Sequence, residues 1–383
     1  MLAATGCGSL VSSQARPGQR PRTGGPAPGA SGAPTNLDPA LGLLLGAPVY
    51  DGDFADPYVL VDNGRYFAYA TNTKGANIPV LMTSGGGSGQ YFGDAFPSLP
   101  SWSTPGFVWA PAVYAVAGQY VLYYTTHVNA TGRQCLSRAV APTPVGPFSD
   151  TSSQPLVCQA DLGGTIDPSL VADPGGQAWL LFKNDGNCCG ITTSLWSQEL
   201  SPDGLSVVGT PAKLLSADQP WEGGLIEAPS MVTNNGTYYL FYSANAWDSE
   251  NYAIGYATCT SISGPCTKPA DSPWMTSTAL AKGPGGQEFY AAVGQLLIVY
   301  HGWTPGEIGY SNGGERRLYL DSIRIVDGLP IRVGSEQVTF AIVLAVATAS
   351  LALGIVVAFI ALVIRHRRRR RRLHSATSHH ASP

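Results

Sequence analysis

The sequence predicts an all-β protein, a five-bladed β-propeller, followed by one C-terminal transmembrane α-helix. Three observations support this prediction: a pattern that recurs five times, an unusual composition, and a long uncharged segment near the end of the chain. Only 12% of the 383 residues are charged, while the chain contains 46 Gly and 30 Pro. Such a composition is typical of many short strands joined by turns, and it argues against a helical protein, a disordered protein or a soluble nucleic-acid binder.

The recurring pattern is a short apolar run, a turn that contains Gly, and a second run rich in Tyr, Trp, Leu and Phe. In four copies a proline opens the first run, as expected for the first residue of a strand, and turns such as Asn63-Gly64 suit tight hairpins. The copies lie about 54 to 61 residues apart, which leaves room for two further strands in each unit. A β-sandwich is the alternative, but it does not explain the regular long period. The copies begin at Asp56, Ala110, Asp167, Ala228 and Gln287.

The uncharged segment Val338–Ile364 would form a helix of about 40 Å, long enough to cross a ~30 Å hydrocarbon core with some tilt. Positive residues stay on the cytoplasmic side, so we expect a single-pass protein of the cell membrane with an extracellular body and a cytoplasmic C-terminus. The expected organisation is a remnant of an export signal or lipobox around Cys7 (1–13), a Pro/Gly-rich linker (14–45), the propeller (46–335), the transmembrane helix (338–364) and a basic tail (365–383).

The charge of the chain is divided unevenly. The formal net charge is −3, but Arg365 and Arg367–Arg372 supply seven of the 22 basic residues, so the rest carries about −10. A basic cluster directly after a membrane segment is typical of contact with anionic lipid. We therefore expect membrane contact at this tail and no nucleic-acid partner.

Six cysteines lie within the predicted propeller, which is typical of an oxidising compartment. Six cysteines allow fifteen connectivities. Short separations favour Cys135–Cys158 and Cys259–Cys266, which leaves Cys188 and Cys189 to form a vicinal bridge or to stay reduced.

Three acidic residues stand at the starts of three repeats. Asp56 and Asp167 directly precede a proline, and Glu227 lies two residues before Pro229. Because the first strand of each blade lines the central channel, we expect the three acids to converge at one end of it. An Asp before Pro can simply initiate a turn, which would explain one such acid better than three. When carboxylates lie close together, repulsion raises the pKa of one above that of the other. One carboxyl group can then act as an acid while another acts as a base.

Several segments, taken together and in order, resemble glycoside hydrolase family 43. They are DFADPYVLVDNGRYFAYAT, WAPAVYAVAGQYVLYYT, GTIDPSLVAD, IEAPSMV, GTYYLFYSAN, VYHGW and ERRLYLDSIR, and they span about residues 48–333. The resemblance implies a five-bladed propeller that cleaves arabinofuranosides, xylosides and arabinans with inversion of configuration. An oligosaccharide or polysaccharide would then be the substrate.

The resemblance also implies roles for individual residues. Asp56 matches the general base that deprotonates the attacking water, and Glu227 matches the general acid that protonates the departing oxygen. Asp167 matches a third acid that raises the pKa of the general acid and holds it in place. Inverting chemistry needs room for water, so the carboxyl groups of Asp56 and Glu227 should lie ~6.5–9.5 Å apart.

Further candidate residues surround these acids. His301 matches a histidine that often helps to hold a calcium or other ion in the channel, although a structural histidine is equally expected. Arg316 resembles an arginine that reaches the substrate, with Arg317 as the adjacent alternative. Side chains expected to contact sugar are Trp109, Phe54, Asn245 and Trp247. No cofactor is required by this chemistry, and a calcium ion would be structural.

Two other functions fit parts of the pattern. A fructan- or sucrose-active hydrolase also has five blades and three acids, but such families usually show Arg-Asp-Pro and Glu-Cys where this chain has Ile166-Asp167-Pro168 and Glu227-Ala228. A catalytically silent carbohydrate-binding propeller is the other alternative. Binding alone would not require a pair of acids with separated pKa values.

Overall fold

The computed structural model describes residues 48–83, 90–269, 271–292 and 294–333. Within these ranges no helix is both long enough and apolar enough to span a membrane. The predicted transmembrane segment, the basic tail, the linker and the N-terminal segment all lie outside the described residues.

Nineteen strands in the described ranges form five antiparallel sheets that follow one another along the chain, which confirms the five-bladed propeller. Blade 1 contains β1 (Tyr58–Asp62), β2 (Arg65–Tyr69), β3 (Pro79–Thr83) and β4 (Gln90–Asp94), and blade 2 contains β5 (Ser103–Val116), β6 (Gln119–Val128) and β7 (Gln134–Ala141). Blade 3 contains β8 (Thr165–Ala172), β9 (Ala178–Asn184), β10 (Ser194–Leu200) and β11 (Val207–Ser216). Blade 4 contains β12 (Ile226–Asn234), β13 (Thr237–Ala244), β14 (Ala253–Cys259) and β15 (Cys266–Thr267), and blade 5 contains β16 (Lys282–Ala292), β17 (Gln295–Trp303), β18 (Arg316–Val326) and β19 (Leu329–Val333).

The hairpins between the first two strands of blades 1 and 4 use the Asn-Gly turns that the sequence predicts. Asn63-Gly64 and Asn235-Gly236 have positive φ at both residues, the backbone of a two-residue turn that matches strand twist. The described connections contain four short 3-10 helices, at Ala160–Leu162, Gly186–Cys188, Pro220–Glu222 and Tyr310–Asn312.

Blade 2 has three strands where four are expected. After β7 the chain contains Pro142, Pro144, Pro147 and Pro155, and proline has no N–H to donate to a ladder. This segment therefore pairs with β7 only through single bridges, Val140 to Ser149 and Leu136 to Val157. The Cys135–Cys158 disulfide attaches it covalently to the blade.

The core lies between neighbouring blades. Apolar clusters join blade 1 to blade 2, blade 2 to blade 3, blade 3 to blade 4, and blade 4 to blade 5. Aromatic pairs contribute at these boundaries: Phe96 packs on Tyr124 with ring centroids 4.7 Å apart, and Phe241 packs on Phe289 at 4.5 Å.

The ring closes between blades 5 and 1. Strand β1 packs beside β16, and the segment that precedes β1 runs along β18. There the amide of Val49 donates to the carbonyl of Leu318, and the amide of Phe54 donates to that of Arg316. The Asp53 carboxylate accepts from the Arg316 amide at 2.9 Å and from the Tyr310 hydroxyl at 3.1 Å. Among the described residues, closure of the ring therefore relies on non-covalent contacts.

Candidate active site

The three predicted acids line one cavity of about 1520 Å³ at the entrance of the channel. Asp56, Asp167 and Glu227 come from blades 1, 3 and 4, which are far apart in sequence. The same cavity is lined by Trp109, Trp247 and Arg316, so most of the predicted site is brought together.

A repeated backbone irregularity places these residues. An equivalent residue has a positive φ in the inner strands of blades 2 to 5, where the ladder shifts register next to it, and just before the inner strand of blade 1. Such a bulge bends the strand and re-aims a side chain. The five equivalent residues are Asp56, Ala110, Asp167, Ala228 and Gly286, with φ between 44° and 59°.

Asp56 is held in its ionised form. The Thr71 hydroxyl donates to its Oδ2 at 2.5 Å, and Nη1 of Arg316 lies 3.3 Å from Oδ1. Nδ1 of the buried His301 lies 3.2 Å from the same oxygen. Burial opposes ionisation, but Arg316, His301 and Thr71 outweigh it and lower the pKa of Asp56 below its usual range.

Gly286 leaves the space in which Asp56 and His301 meet. A Cβ at this position would lie 2.6 Å from Nδ1 of His301 and 2.8 Å from Oδ1 of Asp56, and the φ of +58° also favours glycine. This explains why the fifth blade carries glycine where two other blades carry aspartate.

Glu227 has a cation and a hydroxyl on its carboxylate. Nζ of the fully buried Lys183 lies 2.9 Å from Oε2. The Tyr252 hydroxyl donates to Oε1 at 2.7 Å, and burial together with the Glu227 charge raises the pKa of Tyr252, which keeps this donor protonated. Both oxygens of Glu227 are thus fixed in place. The ring of Tyr252 also stacks on His301 at 5.8 Å, which connects the surroundings of Glu227 to those of Asp56.

Asp167 is the carboxyl group that keeps its proton. Burial and the nearby Glu227 carboxylate raise its pKa to about 7, although Lys183 and the Ala228 amide oppose the shift. That amide donates to Oδ2 of Asp167 at 2.9 Å. Burial and the repulsion from the Glu227 carboxylate therefore favour the protonated form of Asp167 up to about neutral pH.

The cavity therefore holds one carboxyl group whose pKa is lowered, Asp56, and one whose pKa is raised, Asp167. These shifts favour the two protonation states that general base and general acid catalysis require.

The predicted sugar-contacting residues divide into two groups. Trp247, 37% exposed, and the half-buried Trp109 present aromatic surface to the cavity. Phe54 also lies at the cavity wall but is fully buried, so it packs against Tyr50 and offers no face to a sugar. Asn245 lies outside the cavity lining: its amide donates to the Trp221 carbonyl and accepts from the Ala246 amide, so it shapes its own loop.

Arg316, rather than Arg317, faces the cavity. Its guanidinium lies over the rings of Trp247 and Tyr310, at 4.8 and 5.5 Å, and its Nε donates to the Tyr310 hydroxyl at 3.0 Å. Arg317 instead pairs with Asp51 and Glu315.

The described His, Cys, Asp and Glu side chains around His301 do not by themselves supply the ligands of a calcium ion. Nδ1 of His301 accepts a hydrogen bond from the Asp56 amide at 3.1 Å, and its Nε2 is buried without a hydrogen-bond partner in the described part of the chain. However, no group of three or more His, Cys, Asp or Glu side chains in that part gathers as a metal site would require, and calcium takes six to eight oxygen ligands. Burial and the Arg316 charge lower the pKa of His301, which favours the neutral ring.

Sequence reasoning missed Thr71, Lys183 and Tyr252. Lys183 had a usable signal, since it is a single charged residue in the otherwise apolar strand AWLLFKN, buried almost throughout. Thr71 follows the second strand of blade 1 and Tyr252 precedes β14, where no local pattern distinguishes them from ordinary loop residues.

The fold and the carboxylates define a class of protein, the propeller glycosidases. A family model described as Glycosyl hydrolases family 43 matches residues 45–330. This match covers most of the chain, so the chain belongs to glycosyl hydrolase family 43, as the sequence resemblance indicated, and it is a glycosidase. The family match does not support the fructan-active alternative or the catalytically silent propeller.

Individual relatives agree with this assignment. The chain is 28% identical over 284 residues to a β-D-galactofuranosidase of Aspergillus niger, covering 67% of this chain and 76% of that protein. It is 26% identical over 275 residues to an extracellular endo-α-(1→5)-L-arabinanase of Bacillus subtilis, covering 66% and 81%. A solved structure of a thermostable family-43 glycoside hydrolase superposes with a TM-score of 0.67 at 27% identity, covering 74% of this chain and 94% of that one.

Proposed function

We propose that this protein hydrolyses arabinofuranosyl or xylosyl bonds with inversion of configuration. Asp56 acts as the general base on water, Glu227 acts as the general acid on the departing oxygen, and Asp167 holds Glu227 in place and shares its proton. The observation that carries this proposal is that one cavity brings together Asp56, whose pKa Arg316 lowers from 3.3 Å away, and Asp167, whose pKa is raised by burial and by the Glu227 carboxylate.

The size and lining of the cavity support a carbohydrate of several units. Its volume of about 1520 Å³ exceeds the ~300–1,000 Å³ that is usual for small-molecule pockets. Trp109 and Trp247 offer aromatic faces, which pack well against the C–H face of a sugar ring. The B. subtilis relative is named for arabinan, which favours an arabinose polymer as the substrate.

A second candidate substrate is a galactofuranoside. The A. niger relative is named a β-D-galactofuranosidase and matches most of the propeller. Both sugars are furanoses, so the same base, acid and aromatic contacts would serve either.

The test is hydrolysis by residues 46–335 of nitrophenyl arabinofuranoside, xyloside and galactofuranoside and of dyed arabinan. Glu227→Gln should lower kcat on the polymer about 10³-fold, while sugar binding measured by calorimetry survives. A dinitrophenyl glycoside, whose leaving group needs less protonation, should lose much less.

The matched control is Glu250→Gln, which changes an exposed acid that is paired with Lys282 outside the cavity. It should keep full activity. Equal hydrolysis by Glu227→Gln and the parent would contradict the assignment of the acid. NMR detection of the first-formed product should show the anomer opposite to that of the substrate, and retention would contradict the inverting mechanism.

We propose further that the propeller faces the outside of a cell membrane, tethered by residues 338–364 with the arginine cluster against anionic lipid. Three disulfides support an oxidising surrounding for the propeller. Fractionation tests this location: the full chain should sediment with membranes and lose its propeller to external protease, whereas a chain ending at residue 335 should be released. Recovery of the full chain in the soluble fraction would contradict the tether.

A further inference from the structure

Gln134, at the start of β7, carries a side-chain amide with no hydrogen-bond partner. It is only 4% exposed, it lines the cavity, and both its Oε1 and its Nε2 lack a partner in the described part of the chain. Burying an unpaired amide costs about 1–3 kcal/mol, and such groups in native proteins are normally paired. An amide kept in this state at a cavity wall is suited to pairing with the hydroxyl groups of a bound ligand.

The neighbouring wall is connected to the general acid. Nζ of Lys183 contacts Oε2 of Glu227 at 2.9 Å and donates to Oδ1 of Asn187 at 2.8 Å, so one lysine joins the two residues. Asn187 is exposed and lines the cavity. A general acid lies beside the oxygen of the leaving group, so this wall lies on the side of the sugar that departs.

The Cys188–Cys189 disulfide completes the same wall. Both cysteines are exposed, and Cys188 lines the cavity. Nη1 of Arg133 lies 2.8 Å from Sγ of Cys189, which ties the bridge to the residue next to Gln134. The backbone of Gln134 also pairs with Gly164, whose carbonyl accepts from the amide of Asp185 at the start of this loop. Sulfur offers a polarizable, weakly polar surface that can pack on the C–H face of a sugar.

We propose that Gln134, Asn187 and the Cys188–Cys189 disulfide form the binding site for the departing sugar. In this site the Gln134 amide pairs with sugar hydroxyls and the disulfide supports the ring of the sugar. The proposal rests on the glycosidase function proposed above, and it names the side of the cavity that selects a carbohydrate leaving group over other leaving groups.

The test compares two leaving groups. For Gln134→Ala, kcat/KM on an arabino-oligosaccharide should fall about tenfold, while kcat/KM on the nitrophenyl arabinofuranoside should fall at most about twofold, since nitrophenol has no sugar hydroxyls. Asn187→Ala and the double variant Cys188→Ala/Cys189→Ala should likewise lose more kcat/KM on the oligosaccharide than on the nitrophenyl arabinofuranoside. Because Asn187 is exposed, its variant should fold even where the buried Gln134→Ala variant does not.

Two matched controls lie outside the cavity lining. Gln198→Ala removes a buried glutamine that bonds the Gly209 carbonyl, and Cys259→Ala/Cys266→Ala removes the disulfide of blade 4. Both control variants should lose stability, but their kcat/KM values on the oligosaccharide and on the nitrophenyl arabinofuranoside should change by the same factor. Equal losses on the two substrates in all wall variants, or no loss on the oligosaccharide, would overturn this proposal. No hydrolysis of any substrate by the parent would instead show the failure of the proposed function.

Discussion

Asp56 and Asp167 have the same residue type and the same place in the repeat, yet their pKa values move in opposite directions. Asp56 has Arg316 beside it, whereas Asp167 has the Glu227 carboxylate. We therefore expect kcat/KM to fall as the pH rises through about 7, because Asp167, whose pKa is raised to about 7, then loses its proton. Asp167→Asn should remove this fall of kcat/KM near pH 7. A profile that is flat from pH 6 to 9 in the parent would contradict the raised pKa of Asp167.

A second prediction for a single residue concerns Lys183. Lys183→Met removes a cation that lowers the pKa of Asp167, so the alkaline limb of the activity profile should move to higher pH. The variant should also be less stable at pH 8, because Glu227 loses its counter-ion. The double variant Lys183→Met/Glu227→Gln should recover stability but not activity.

The control for Lys183 is Lys268→Met, which breaks another buried pair, with Glu222, outside the cavity lining. It should lower stability and leave the pH profile of activity in place. If both variants shift the profile equally, the effect is not specific to Lys183.

Glu288 is a buried acid of the channel with a pKa raised by burial to about 7. Ser169 donates to it at 2.6 Å, and Ser230 donates to its other oxygen. A raised pKa means that the folded state favours the protonated form of Glu288. The contribution of Glu288 to the stability of the fold is therefore complete below about pH 4.5 and is lost as the pH rises through 7. Glu288→Gln should therefore be more stable than the parent by about 3 kcal/mol at pH 8, with little difference near pH 4.5.

Denaturant unfolding at several pH values checks this prediction. Both serine hydroxyls can rotate to pair with an amide, so the substitution keeps the local contacts. Parallel stability curves for parent and variant would contradict the prediction, and Glu250→Gln, at an exposed acid, should give such parallel curves.

At the scale of the strand, the repeated bulge determines where the reacting groups point. Gly286→Ala would press a methyl group against His301 and Asp56, so activity should fall at least about tenfold. Gly236 also has a positive φ but has open space around it. Gly236→Ala should cost about 1 kcal/mol of stability and leave activity unchanged. Comparable activity in both variants would contradict the crowding argument.

The strands and the three acids could be predicted because their signals are local. A Pro at the start of a strand, a Gly-containing turn and alternating aromatic residues each follow from short-range physics, and the repeat aligns them. Lys183, Tyr252 and Thr71 could not be placed in the same way, since their positions depend on contacts between blades. Asn245 was expected at the rim because of its loop, but its left-handed backbone and its bonds within the loop keep it out of the cavity.

At the scale of the whole propeller, the contacts between blades 5 and 1 both close the ring and hold Arg316. Asp53→Ala removes the acceptor for the Arg316 amide and the Tyr310 hydroxyl, which should cost about 1–2 kcal/mol. Activity should be lost on heating several degrees before the circular dichroism signal changes. The control is Asp173→Ala, which breaks similar contacts within blade 3. It should lower the temperature of activity loss and the temperature of the circular dichroism transition by the same amount.

Each of the three described disulfides joins residues of a single blade, and none links one blade to the next. Reducing agents would therefore loosen individual sheets while leaving the seam between the first and last sheets as strong as before. If that seam parts first, His301 and Arg316 leave Asp56 and the catalytic base loses its neighbours. On heating, such an enzyme would lose activity while most of its sheets remain folded. Cooling would then restore the contacts between the first and last sheets, and with them the activity.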